Sequence, residues 1–437
     1  MCASAWVFLA FNFLRRGIIV RAIPYPFKIV LACCALIITG LGIPVNCAGL
    51  FYASVSNALD VSIGALSVYI TIQYAVAGVS LPLAGKLLQA RGARSVLTVA
   101  VIMDSAAFGL LCFAQSIWAF YAAGVFLGVG SAFLIYLAIP VLITNWFERK
   151  TGLAMGISFS AAGIASALAS PLITWSIAQF GWRPTYGACG LVMAAISLPF
   201  TLFIVRSTPA ELGLKPYGAG ASAASTGLTA GMRLKSALRT PSFYCIFLFA
   251  GLIGITSAFL FHLPACMGEY GFTQMQAASI LSAAVIGITC GKLGIGWLND
   301  LLGVKWAAPI GVGLGLIGMV LLISHLAFVP SLVGGLCYGI GFACTVLEPP
   351  PLVKRIFGMA DYGVIYACIM TFSALGCAFG ATLIGAVRDM AQGYGAALTL
   401  LIVLQAAALT AFAAAIITGI PVQRRWSAAS SQTLKEE

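Results

Sequence analysis

A chain of 437 residues that is 61% hydrophobic and 8% charged carries more apolar side chain than the surface of a water-soluble globule holds. Its mean hydropathy of +1.06 assigns it to lipid. The formal net charge of +12 does not mark a nucleic-acid binder, because the basic residues concentrate in short connections between apolar runs.

The first 26 residues contain an apolar stretch, Ala5 to Leu14, followed by Arg15, Arg16 and Arg21. That charge order inverts a secretory signal and reads as a cytoplasmic interfacial segment. Twelve spans then follow, over about 27–55, 62–86, 95–115, 119–145, 151–178, 184–206, 241–268, 273–298, 306–327, 329–353, 363–387 and 394–420. Strand-length alternation is missing, which argues against a β-barrel. The expected fold is an all-α membrane protein of two six-helix bundles, 27–206 and 241–420, with a cytoplasmic tail over 421–437. The connection 207–240, with Pro209, Gly213, Pro216, Gly218 and Gly220 and no apolar periodicity, reads as a cytoplasmic linker. Twenty of the 23 lysines and arginines fall in alternate connections, Arg183 and Arg388 lie on the other side, and Lys292 lies within a span. The basic connections are therefore cytoplasmic, and so are both termini. The 13 cysteines are scattered without a CxxC, so they read as small apolar filler rather than as disulfide or zinc frameworks.

A ten-residue pattern appears twice, 211 positions apart: Gly85 to Arg94 and Gly296 to Lys305. Gly85 aligns with Gly296, Gly92 with Gly303, and Arg94 with Lys305. The acid Asp300 of the second copy is replaced by Gln89 in the first. Glycines there permit a tight turn and close helix approach, and the charge can pair with a neighbouring helix end, forming a gate that holds in one conformation and breaks in another. A second repeat, Pro140 to Phe147 and Pro350 to Phe357, recurs at an offset of 210. Two related halves suit a rocker with a central cavity open to alternate sides. With no GxxxxGK[ST] loop, the expected class is a secondary carrier rather than an ATP-driven pump.

The motif Gly-x-Leu-x-Asp-x-x-Gly-x-basic resembles the loop signature of the major facilitator superfamily after spans two and eight. Asn145 to Gly156 resembles the junction between spans four and five in the oxalate/formate antiporter and monocarboxylate porter group. Phe180 to Arg183, Thr208 to Gly213, and His262-Leu263-Pro264 followed by Gly271 are similar to further landmarks of that group. The resemblance implies carriage of a small organic carboxylate, with a proton or a counter-anion, in a bacterial inner membrane. It also implies a buried arginine where this chain has Lys292.

A charge at the centre of a spanning helix costs about 2.5–3.5 kcal/mol on insertion scales, so each one is a candidate site. Lys292 lies eight residues before Asp300, about 12 Å along the helix, and is the candidate for the substrate carboxylate. Glu348 precedes Pro349, Pro350 and Pro351 and lies six residues before Lys354, about 9 Å from the cytoplasmic end. Their similar depths leave two arrangements open: a proton-sensitive Lys292–Glu348 pair that releases the lysine to substrate, or a static ion pair. Asp104 in span three reads as a polar contact with a neighbour. His262 is a second candidate for proton coupling, with a helix-end hydrogen bond as its other reading, and His325 is assigned to the interface. Tyr136, Tyr338, Tyr366 and Asn46 are candidate liners that offer hydroxyl or amide groups. One buried cation favours a monocarboxylate over a dianion. A drug exporter of the same fold and a non-transporting membrane sensor are the alternatives. No nucleophile–base pair or metal cluster suggests an enzyme, and no cofactor is expected; the expected partners are a small organic anion, a proton or counter-anion, and the lipid bilayer, with the chain a monomer.

Overall fold

The computed structural model describes residues 24–219, 231–324 and 327–436. The N-terminal arginines and His325 lie outside them. Among the described residues, twelve helices are long and apolar enough to cross a membrane. Spans one to six are Tyr25–Gly42, Gly64–Arg91, Ala93–Phe113, Ile117–Trp146, Thr151–Phe180 and Trp182–Phe203. Spans seven to twelve are Pro241–Phe261, Gln274–Leu302, Val304–Ser324, Phe328–Phe357, Tyr362–Ala391 and Tyr394–Arg424.

Span one departs most from an uninterrupted helix over 27–55. An α-helix over Tyr25–Ile37 widens into a π-turn over Ile38–Gly42, and a separate helix follows over Gly49–Leu59. Pro44 has no N–H to continue the ladder. A Cβ on Gly40 would stand 2.7 Å from Leu134 Cβ, so the widened turn lies where span one meets span four. Span four is itself π-helical there, over Ala132–Leu137. Span ten breaks at Glu348, between helices Phe328–Leu347 and Pro349–Phe357. Three prolines tolerate the first turn of the second helix, where N–H groups need no intrahelical acceptor. They leave the carbonyls at the end of the first helix without their usual donors.

The two motif copies adopt one geometry. Gly92 (φ 77°) ends span two with its N–H on the Leu88 carbonyl at 3.1 Å; Gly303 (φ 76°) ends span eight with its N–H on the Asn299 carbonyl at 3.0 Å. Both turns need a residue without a Cβ at positive φ.

The connection between the halves is tied down at both described ends rather than being free of structure. Tyr217 N–H donates to the Trp146 carbonyl at 2.8 Å, and Met232 N–H donates to the Phe357 carbonyl at 2.8 Å. Isolated bridges pair Phe147 with Tyr217 and Gly231 with Gly358. The repeated phenylalanines that close spans four and ten are thus the anchor points of the linker. The described side chains of the basic connections sit at one end of the bundle, here called the basic end. At the opposite end, Arg388 is paired with Glu269 (3.3 Å) and Asp389 (3.0 Å), and Arg183 lies 4.5 Å from the Trp182 ring.

Candidate functional site at the seam between the halves

The halves meet along two seams, span five against span eight and span two against span eleven. On the first seam, a Cβ on Gly152 would overlap the Gly296 carbonyl, and one on Gly156 would overlap the Lys292 carbonyl. Further along, a Cβ on Gly163 would lie 2.7 Å from Thr289 Oγ1. Glycine thus sets the backbone separation from one motif copy towards the middle of the bundle.

Asp300 closes the basic end of this seam. Its Oδ1 accepts from Gly152 N–H at 2.8 Å and its Oδ2 from Leu153 N–H at 2.7 Å. Those amides belong to the first turn of span five, which lacks intrahelical acceptors and carries the positive end of the helix dipole. The carboxylate of one half therefore caps a helix of the other half.

Lys292 lies two turns deeper. Its side chain is buried, and Nζ donates to the Phe159 carbonyl of span five at 3.3 Å. An ammonium has three donors, and this is its one hydrogen bond among the described residues. The acceptor is a neutral carbonyl of the opposite half.

Glu348 does not pair with Lys292: among the described residues the ion pairs are those of Arg388. Glu348 is fully buried, and its Oε1 accepts from Asn299 Nδ2 at 3.2 Å within its own half. Glu348 Oε2 and Asn299 Oδ1 have no hydrogen-bond partner. Equal depth did not bring lysine and glutamate together, because the side chain facing Glu348 is Asn299, one position before the motif acid.

Other expected site residues separate into groups. Tyr136 of span four and Tyr366 of span eleven are both buried in the apolar cluster that joins the halves. Tyr366 stacks on Tyr362 at 5.9 Å. Asn46 is exposed and donates to Ser166 Oγ of span five at 3.4 Å. Tyr338 is buried elsewhere, its hydroxyl placed on the Thr256 and Ser257 carbonyls at 3.1 and 3.0 Å. His262, just past the end of span seven, ties to spans eleven and twelve: Nε2–H donates to the Ala381 carbonyl at 2.9 Å, leaving Nδ1 to accept from the Tyr394 hydroxyl at 3.0 Å. Asp104 is fully buried beside Gly130, and neither carboxyl oxygen has a hydrogen-bond partner among the described residues. The polar neighbour expected for it is a glycine backbone.

The second seam has the same shape and weaker chemistry. A Cβ on Gly85 would stand 2.8 Å from Ala367 Cβ and 3.0 Å from the Gly363 carbonyl. Gln89 Nε2 donates to the Ala360 carbonyl at 3.4 Å. Arg94 is exposed and lines a cleft of about 460 Å³ with Arg91 and Glu211. Lys305 is exposed at the equivalent place.

Four participants escaped the reading of the sequence: Gly152, Gly156, the Phe159 carbonyl and Asn299. The four-residue spacing of Gly152 and Gly156 was a legible sign of close helix approach. The Phe159 carbonyl carried no sign, since every residue has one.

Comparison with known proteins agrees with this architecture. Monocarboxylate transporter 13 of Bos taurus is 26% identical over 351 residues, covering 80% of this chain and 79% of that protein. An uncharacterized MFS-type transporter of Bacillus subtilis, YcxA, is 27% identical over 259 residues, covering 58% of this chain and 60% of that protein. Among solved structures, the proton:xylose symporter XylE superposes with a TM-score of 0.71 at 15% identity, covering 88% of this chain and 94% of that one. The human organic anion transporter MFSD10 gives 0.65 at 18% identity, covering 90% of this chain and all of that one. The sequence profile of the Major Facilitator Superfamily matches residues 30–381. The chain is an integral membrane protein with twelve spans, and it belongs to the major facilitator superfamily of transporters.

Proposed function

We propose that the protein is a secondary carrier of small organic carboxylates, monocarboxylates before dicarboxylates, working by alternating access with a proton or a counter-anion. The basic end faces the cytoplasm in this reading, and the membrane is a bacterial inner membrane. The supporting observation is Lys292. It is a buried cation whose one hydrogen bond, to the Phe159 carbonyl, crosses from one half to the other. Separating the halves on this side breaks that bond and frees the ammonium, and a substrate carboxylate is a stronger acceptor than a neutral carbonyl. A substrate carboxylate then meets an ammonium that is tied to the opposite half in one arrangement and free of it in the other, which is the differential contact that alternating access requires. Tyr136 and Tyr366, drawn from opposite halves, are the hydroxyls assigned to the substrate cavity. The carboxylate-carrier reading also draws on the similarity to monocarboxylate transporter 13.

An exporter of organic cations of the same fold requires an acid facing the substrate path. The buried acids Glu348 and Asp104 instead pack within their own halves, against Asn299 and Gly130. Uptake of a panel of radiolabelled mono- and dicarboxylates into proteoliposomes, with and without a pH gradient, tests the proposal. Monocarboxylate uptake that falls by about a hundredfold in Lys292→Ala, the loss of a charge-assisted contact, is the expected result. Full uptake in that variant, or transport of organic cations alone, overturns it.

A further inference from the structure

Glu348 and Asn299 together hold a deficit of one hydrogen atom. Asn299 Nδ2 donates to Glu348 Oε1 at 3.2 Å, while the other oxygen of each group, Glu348 Oε2 and Asn299 Oδ1, is buried without a partner. An ionised carboxylate only accepts, and so does the amide oxygen. A carboxylic acid facing a primary amide closes a ring of two hydrogen bonds, N–H to one carboxyl oxygen and O–H to the amide oxygen. One proton on Oε2 therefore supplies the donor that both orphaned oxygens lack.

The location of the pair gives that proton a consequence. Asn299 immediately precedes Asp300, whose carboxylate caps span five across the seam. A Cβ on Gly152 would lie 3.0 Å from Asn299 Cβ, so the asparagine also packs on the capped turn itself. Glu348 stands at the break of span ten, immediately before the three prolines. Losing the proton breaks the Oε2–H bond and leaves an uncompensated buried charge next to the strand of contacts that holds Asp300. Admitting water from the basic end relieves that charge, and the capped turn of span five packs on Asn299 at that end.

We infer that the Glu348–Asn299 pair is a proton-binding lock on the basic-end gate: protonated, it holds the seam between spans five and eight closed, and deprotonated, it releases Asp300 from span five. The inference rests on the carrier reading for its purpose and names the residue through which a proton acts in it. It replaces the direct Lys292–Glu348 exchange with coupling through Asn299. The sign follows from the geometry: the closed state is favoured at low pH and weakens as pH rises through the titration of Glu348.

Other titratable groups on the packed elements are Cys290, Lys292 and Asp300 of span eight, Lys305 of span nine, and Glu148, Arg149 and Lys150 ahead of span five. Towards the basic end, span seven carries Tyr244 and Cys245, span eleven Tyr362, Tyr366 and Cys368 with Asp361 just ahead of it, and span twelve Arg424. Span ten itself carries Cys337, Tyr338, Cys344, Lys354 and Arg355. None of the ion pairs among the described residues involves Glu348.

Hydrogen exchange of the full-length protein in lipid nanodiscs, read by mass spectrometry on peptides covering Gly152 and Leu153, tests the lock at the amides that Asp300 holds. No substrate is needed. After correction for the intrinsic chemical rate, exchange in the wild type is expected to rise about tenfold between about pH 6 and about pH 9, the effect of a one-unit coupling. Glu348→Gln retains both hydrogen bonds at every pH, so its exchange stays low and flat. Asn299→Ala lacks the ring, so its exchange is high and flat. A wild type as flat as Glu348→Gln overturns the inference, as does a wild-type pH response surviving in either variant. Should Glu348→Gln fail to fold, the comparison of wild type with Asn299→Ala decides the matter alone. Absence of carboxylate uptake overturns the carrier reading and leaves this exchange measurement standing.

Discussion

The two motif copies fold alike and bond differently. At the seam of spans five and eight, a carboxylate accepts two helix N-terminal amides, at 2.8 and 2.7 Å. At the seam of spans two and eleven, an amide donates one bond of 3.4 Å to a carbonyl. The shape is shared because the glycines are shared: Gly85 and Gly296 admit the facing helix, and Gly92 and Gly303 make the same positive-φ turn. The strength differs because only an anion complements the positive end of a helix, and Gln89 has no charge to offer. Duplication set a common frame, and one side chain in each copy decides whether a seam is a charged clasp or a neutral contact. Lys292, Asn299 and Glu348 all lie on or beside the clasped seam. Its counterpart at the position of Lys292 is Leu81, a buried aliphatic.

The sharpest way to break the clasped seam is steric. Gly152→Ala drives a methyl into the Gly296 carbonyl, and backbone does not yield as a side chain does. The closed basic end is expected to lose about 3 kcal/mol, seen as faster hydrogen exchange in peptides covering Gly152 and Leu153. Gly85→Ala meets the Ala367 methyl at 2.8 Å and the Gly363 carbonyl at 3.0 Å, a milder overlap, and should cost less in the same assay. Next in size, Asp300→Ala removes two charge-assisted bonds from an exposed cap. A loss of about 1–2 kcal/mol in the closed state is expected. Exchange at Gly152 and Leu153 should rise accordingly, with Gln89 and its seam unaffected.

Gly303→Ala places a Cβ at φ 76° with open space around it, so backbone strain alone should destabilise the protein by about 1 kcal/mol in thermal unfolding. Gly92→Ala adds a 3.4 Å contact with Ser207 Oγ to the same strain and should match it closely. The smallest effect belongs to Gln89→Ala, which loses one long neutral bond at an exposed site; a change under about 0.5 kcal/mol is expected. An equal response of Gln89→Ala and Asp300→Ala would abolish the distinction between the two seams.

Much of the fold was legible because a bilayer imposes a length. Twelve apolar runs became twelve helices, and errors collected at the interruptions. The interruption of span one needed Gly40 to be seen against Leu134, although Pro44 was in view. The prolines after Glu348 were likewise in view, and three missing N–H groups cannot sustain a helix interior, which is why the run over 329–353 breaks there. The linker shows the limit of composition. Proline and glycine removed its periodicity, yet Tyr217 and Met232 bind the ends of spans four and ten through backbone atoms that every sequence possesses.

The candidate site was legible as a set of residues and illegible as a set of contacts. Burying a charge in lipid is costly enough that Lys292, Glu348 and Asp104 stood out by position alone. Position along a helix gives depth and leaves the facing direction open. Depth suggested Lys292 with Glu348, whereas packing gave Lys292 a carbonyl of the opposite half and Glu348 an asparagine of its own. His262 and Tyr338 likewise had the chemistry of a site, and their polar atoms proved to be bonded to backbone carbonyls of neighbouring helices, with the Tyr394 hydroxyl as the second partner of His262.

Composition, apolar length and the repeated glycines were enough to determine a duplicated twelve-span bundle, because insertion into lipid and close helix approach depend on residue type and spacing. The partners of the buried charges were decided only in the tertiary structure. A hydrogen bond depends on where two groups meet in space, and the helix rotations and tilts that bring Asp300 to Gly152 and Asn299 to Glu348 are set by the packing of the whole bundle.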